Sequence, residues 1–146
     1  MRKRRQSAPL ADPVRMRIRA AEQLLAAAED LIPRHARIAV YLAGLSAECS
    51  LKAHILCQVQ RSQRNEIDAS AEFRGREGHS YEELRRFSRS LSGGRDVPVE
   101  WARNLRYISG VWSVHMRYEP KLQSEKEATA VWNAASQLLT AIKRTV

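Results

Sequence analysis

Apolar residues recur every three or four positions along almost the whole chain, the period of an amphipathic helix. Val14, Ile18, Ala21, Leu24, Leu25, Ala28 and Leu31 make a first stripe. Asp12-Pro13 opens it, a capping residue followed by proline at the first helical position, and Pro33 closes it. A second helix starts near Arg34 and reaches toward Gln60, with Ile38, Leu42, Leu45, Cys49, Leu56 and Val59 on or near one face and Glu48 and Lys52 paired at i,i+4. Residues 60–78 are polar and contain Gly75 and Gly78, which predicts a loop or an irregular short helix. Ser80 and Glu83 have the spacing of a capping box and open a third helix through Leu84, Phe87 and Leu91, broken by Gly93-Gly94. A fourth helix starts near Asp96-Val97-Pro98 and continues to about Arg117. Ser124 and Glu127 repeat the capping-box spacing ahead of Ala128, Val131, Trp132, Ala135, Leu138, Leu139 and Ile142. No repeat and no strand pattern stands out. The expectation is an all-α fold, an antiparallel up-and-down bundle of about four to five helices.

Composition narrows the class. The chain has 146 residues, room for one well-cored domain, and is 44% hydrophobic and 28% charged, too apolar for a disordered chain. Six Gly, five Pro and 6% aromatics argue against a turn-rich β-sandwich. No apolar run approaches the roughly 18 residues of a membrane span, and the start lacks the apolar stretch of a signal peptide, so the expected location is cytoplasmic. Cys49 and Cys57 lie eight residues apart in one predicted helix. That is about 12 Å of helical rise, too far for a disulfide, so both read as small core residues. No CxxC pairing or histidine cluster suggests a metal, and no cofactor motif is present.

The net charge is +9, and most of it is local. Up to Arg19, seven basic residues face one acid, Asp12. Residues 1–12 therefore read as a flexible basic arm and residues 13–146 as the folded body. Such an arm suits a phosphate backbone or an acidic partner, or simply solubilises the chain.

The fourth helix carries the most specific pattern. Trp101, Leu105, Ile108, Trp112 and Met116 fall in one arc at 100° per residue and predict a core face, with His115 at its edge. Arg103, Arg106 and Arg117 share the opposite face around Gly110 and Ser113, with no carboxylate among them. Three unpaired guanidiniums around a small-residue notch suit phosphate or another planar anion, and a solvated basic face has the same pattern. Tyr118 is available to stack on a base. Gly110 would be explained by the close approach of a ligand or a second helix, and three tryptophans on so short a chain suggest apolar surface left over for a homodimer or a helical protein partner.

Three segments, in order, resemble the HEPN family (higher eukaryotes and prokaryotes nucleotide-binding). Leu45-Ser46-Ala47-Glu48-Cys49-Ser50-Leu51-Lys52-Ala53 is similar to its "aaElaLKa" helix. His79-Ser80-Tyr81-Glu82-Glu83-Leu84 is similar to its "HdLeeL" helix start, with Ser for Asp and Tyr for the first Leu. Met116-Arg117-Tyr118-Glu119-Pro120 resembles its "RYP" segment, with Glu119 inserted before the proline. The resemblance spans most of residues 14–145. It implies a bundle of four or five helices that often dimerises, with roles as metal-independent RNase toxins, RNA- or nucleotide-associated modules, partners of nucleotidyltransferases or parts of anti-phage systems.

Catalytic members of that family carry Arg, four to six residues, then His, often as R-N-x-x-x-H. The His moves a proton at the ribose 2′-hydroxyl while the Arg holds the scissile phosphate. Here Arg103-Asn104 has the opening, but Ile108 stands where the His belongs, and His115 is about 18 Å of helical rise from Arg103. The literal Arg-x4-His match is Arg74 to His79, in the glycine-containing stretch. The leading expectation is a non-catalytic HEPN-like module binding a nucleotide, an RNA or a protein partner through Arg103, Arg106, Arg117, Tyr118 and His115, in a toxin–antitoxin or anti-phage setting. A metal-independent endoribonuclease using Arg74 and His79, and a pure dimerisation or adaptor module, are the alternatives.

Overall fold

In a computed structural model describing residues 12–118 and 123–146, three helix starts are built from the side chains whose spacing predicts them. Asp12 accepts a hydrogen bond from the Val14 N–H at 3.1 Å and opens α1, Pro13–Leu31. Ser80 accepts from the Glu83 N–H at 3.3 Å and opens α5, Tyr81–Leu91, while the Glu83 carboxylate turns outward to Arg86, so only half of the capping box forms. Ser124 accepts from the Glu127 N–H at 3.1 Å and opens α7, Glu125–Lys143. The remaining helices are α2, Ala36–Cys57; two short ones, α3, Arg64–Asp68, and α4, Ala71–Arg74; and α6, Val99–Ser109. No strand occurs among the described residues. The expected arm lies outside them, apart from Asp12.

α2 is the centre of the fold. It packs on α1, α5, α6 and α7, and apolar side chains are buried all round it, as expected of a core helix. α1 and α2 form an antiparallel hairpin in which small residues, Ala21 and Ala28 on one side and Ala39, Ala43 and Ala47 on the other, are all buried. Ser46 Oγ donates to the Ala21 carbonyl at 2.7 Å in the same seam. α7 lies against α1, α2 and α6, and Trp132 Nε1 donates to the Leu25 carbonyl at 2.8 Å. Gly93 and Gly94, with φ of 71° and 93°, take the left-handed turn that ends α5, where glycine is the residue free of Cβ strain.

The stretch 60–78, read from sequence as a loop or an irregular short helix, contains α3 and α4 between two short 3-10 turns, Arg61–Gln63 and Arg76–His79, so His79 ends a turn and does not open the next helix. Phe73 is the anchor of this stretch, fully buried and meeting Phe87 of α5 edge-on at 6.1 Å. Gly78 packs so tightly on the Phe73 carbonyl that a Cβ there would lie 2.1 Å from the oxygen.

The fourth predicted helix requires correction. It ends at Ser109 and does not reach Arg117. The chain turns at Gly110-Val111 and continues as a 3-10 turn, Val114–Tyr118. The turn lets Trp112 reach α2, where its Nε1 donates to the Tyr41 carbonyl at 3.0 Å and its ring stacks on Tyr81 with centroids 5.1 Å apart. Arg37 of α2 donates to the Met116 carbonyl and ties down the 3-10 turn. All five residues of the expected core arc are buried, but Trp112 and Met116 arrive there by a different backbone path. Trp101 and Trp112 are buried and Trp132 half-buried, so this chain itself accounts for the tryptophans that suggested a second copy. Cys49 and Cys57 are free thiols, and burial raises both above the ordinary thiol range. Among the described residues no helix is long and apolar enough to cross a membrane.

Candidate functional site

The predicted anion face is not one face of a single helix. Its geometry assumed a continuous helix from Arg103 to Arg117, and the end of α6 at Ser109 removes that premise. The Arg117 side chain lies outside the described residues. His115 is exposed, and Tyr118 is 74% exposed, both on the 3-10 turn beyond α6. Within this chain nothing approaches Gly110 closely: a Cβ there would meet only the Tyr107 and Arg106 carbonyls at 3.4 and 3.7 Å, ordinary contact distances.

Arg103 and Arg106 instead serve two grooves on opposite flanks of α6. Arg106 lines a groove of about 390 Å³ between α5 and α6, together with Arg85, Arg89, Glu82, Tyr81 and Ser109. Arg85 and Arg89 both bind Asp96, at 2.7 and 3.3 Å, and the Arg85 hydrogen bond holds the Asp96 carboxyl below its ordinary range. Arg103 lines a larger groove of about 560 Å³ between α6 and α7, with Glu100, Asn104, Gln137 and Arg144 among its walls. Among the described residues Arg103, Arg106 and Arg144 make no ion pair.

The second constellation surrounds His79. Its Nδ1 lies 2.9 Å from Glu48 Oε1, and Glu48 Oε2 accepts from Lys52 Nζ at 3.0 Å. Lys52 Nζ also donates to the Phe73 carbonyl at 2.9 Å and stands 5.5 Å from the Phe73 ring centroid. Glu48 and Lys52 are 5% and 2% exposed, whereas the His79 side chain is 40% exposed. A buried carboxylate on one ring nitrogen fixes the imidazole plane and, with Nδ1–H donating, makes Nε2 the acceptor, the arrangement of an oriented general base. Arg74, the other member of the Arg-x4-His match, is turned away into Asp68, through Nε to its carbonyl at 2.9 Å and through a guanidinium nitrogen to its carboxylate at 3.3 Å. Next to this network, Tyr81 donates to the Gly44 carbonyl at 2.6 Å, and complete burial pushes its hydroxyl well above the ordinary range.

The sequence marks Glu48 and Lys52 as an i,i+4 pair and as part of the segment resembling the HEPN helix, without linking either to His79. The available signal was that both sit among Ala47, Cys49, Leu51 and Ala53 on a helix apolar on every side, where a charge needs a buried partner. Gln137 and Arg144 gave no signal, and Asn104 stood out only beside Arg103 in the R-N opening, because polar surface residues join a groove only once α6 and α7 are docked. Among the described residues no group of three or more His, Cys, Asp or Glu is placed to hold a metal ion. Comparison with family models, with curated proteins and with solved structures finds no match to this chain.

Proposed function

We propose that this chain is a HEPN-like up-and-down helical bundle that binds RNA or a nucleotide at the two grooves flanking α6, as a non-catalytic module of a toxin–antitoxin or anti-phage assembly. The observation that carries this reading is that Arg103, Arg106 and Arg144 stand on groove rims with no carboxylate partner among the described residues, in a chain of net charge +9. Unpaired guanidiniums at a concave, polar surface match phosphate oxygens in charge and in fork geometry. The resemblance of residues 45–53, 79–84 and 116–120 to the HEPN segments supplies the family and the expectation of a dimer or a helical partner.

Anisotropy of labelled single-stranded RNA with the full chain, at two salt concentrations and in EDTA, tests the reading. Saturable binding that weakens steeply with salt, with the RNA intact, is the expected result. Absence of binding at low salt would remove RNA as the ligand and leave a nucleotide or the adaptor reading. The endoribonuclease alternative is favoured by one feature, the Glu48-oriented imidazole of His79. Metal-independent cleavage abolished by His79→Ala would establish it over the non-catalytic reading.

A further inference from the structure

The geometry points to the α6/α7 groove as a site for a nucleoside phosphomonoester, either a free mononucleotide or the phosphorylated end of an RNA strand. The assignment deepens the reading above and rests on it.

The groove is built from two helical ridges. Glu100, Arg103 and Asn104 are one turn apart on α6, and Ser136, Thr140 and Arg144 follow at i, i+4 and i+8 along α7 and its C-cap. Between them the floor is Ala141 and the edge of Trp101, whose indole is fixed by an edge-on contact with His54 at 4.9 Å. A volume of about 560 Å³ lies in the range of small-molecule sites.

The polar groups lining it are not engaged within the fold. Arg103 and Arg144 have no carboxylate partner, and the side chains of Asn104, Ser136, Gln137 and Thr140 make no hydrogen bond among the described residues. The arginines of the other groove differ: Arg85 and Arg89 are both held by Asp96, and only Arg106 there is without a carboxylate partner among the described residues. Two guanidinium forks against the single carboxylate of Glu100 leave a net positive site. A phosphomonoester carries nearly two negative charges and three acceptor oxygens, enough for both forks, whereas a phosphodiester offers one charge and two free oxygens. Asn104 and Gln137 each present a donor and an acceptor, the complement of a base edge, and the hydroxyls of Ser136 and Thr140 suit ribose hydroxyls. Inorganic phosphate would use the forks alone.

Calorimetric titration of the full chain with AMP, adenosine and inorganic phosphate tests the site. AMP should saturate, with adenosine and phosphate each at least tenfold weaker. Arg103→Ala with Arg144→Ala should weaken AMP at least tenfold, and Gln137→Ala should weaken AMP while leaving phosphate unchanged. A control changing Arg19 and Arg34, exposed and not among the residues lining the groove, should leave AMP affinity intact, and far-UV circular dichroism confirms the fold of each variant. A 5′-phosphorylated trinucleotide that competes with AMP where its hydroxyl counterpart does not identifies strand ends as a source of the ligand. Failure to compete identifies the free nucleotide. Equal AMP losses in the double variant and the control, or no saturation by AMP while single-stranded RNA still binds, would overturn the groove assignment and leave the RNA-binding reading standing. Loss of both AMP and RNA binding would overturn the two together.

Discussion

Gly44 and Trp112 are in such close contact that a single methyl group would not fit between them: a Cβ on Gly44 would lie 2.2 Å from Cδ1 of the indole. The glycine lies inside α2, where it costs the helix about 1 kcal/mol relative to alanine, and the indole occupies the space its missing side chain leaves. This contact fixes where the chain goes after α6 and what Tyr81 stacks on.

Gly44→Ala should therefore destabilise the protein by about 1–3 kcal/mol despite the better helix former, because the indole must move and its stack on Tyr81 and its bond to Tyr41 move with it. Gly110→Ala should do the opposite and stabilise by up to about 1 kcal/mol, because φ there is −70° and the new methyl meets nothing closer than 3.4 Å. Thermal melts of the two variants check the pair, and a fall for Gly110 with no change for Gly44 would reverse the assignment of the notch.

The contrast between these glycines shows what the sequence made legible. Helix starts at Asp12, Ser80 and Ser124 were readable because a cap is a local bond between residues two or three apart. The end of the fourth helix was not. Trp112 and Met116 continue the apolar period of Trp101, Leu105 and Ile108, and a period reports which side chains are buried without reporting the backbone that carries them. The Glu48–His79 contact joins residues 31 apart, and the regrouping of Arg106 with Arg85 and Arg89 depends on α5 and α6 being neighbours. No local spacing encodes either.

Lys52→Met should cost about 3–5 kcal/mol in urea unfolding, because it takes the ammonium from the buried Glu48 carboxylate, leaving it only His79, and frees the Phe73 carbonyl. Adding Glu48→Gln should recover part of that loss by removing the orphaned charge. A double variant as unstable as the sum of the two single ones would show that the three polar groups do not act as a unit.

Stability should also fall as pH drops below about 6.5 because of His54. Burial lowers its folded pKa below the ordinary 6.5 of an imidazole, so the unfolded chain binds the proton more readily than the folded one. The contribution is fully present above the unfolded pKa and lost as pH falls toward the folded value. His54→Phe keeps a ring against Trp101 and should flatten the fall between pH 6.5 and 5, measured by chemical denaturation at each pH.

If RNA phosphates contact α6, Arg106→Ala should reduce the log–log salt slope of single-stranded RNA binding by about 0.7. Arg85→Ala should reduce it less, because that guanidinium is already engaged by Asp96, which keeps Arg89 as a partner in the variant. Equal reductions at the two positions would mean that the strand feels only the bulk field of the protein.

The Lys52 ammonium bound to the Phe73 carbonyl also bears on how the molecule opens. Segment 61–79 has no long helix of its own, and its deepest tie, beside shallower bonds such as Arg17 to Asp68, comes from the buried middle of α2. Peeling the segment away would bare Lys52 and Glu48 to water along with Phe73, so these polar and apolar groups are released in one cooperative step. The amides of residues 71–79 should then exchange hydrogen together, at a free energy well below that of α2, and Lys52→Met should speed their exchange before it affects α7.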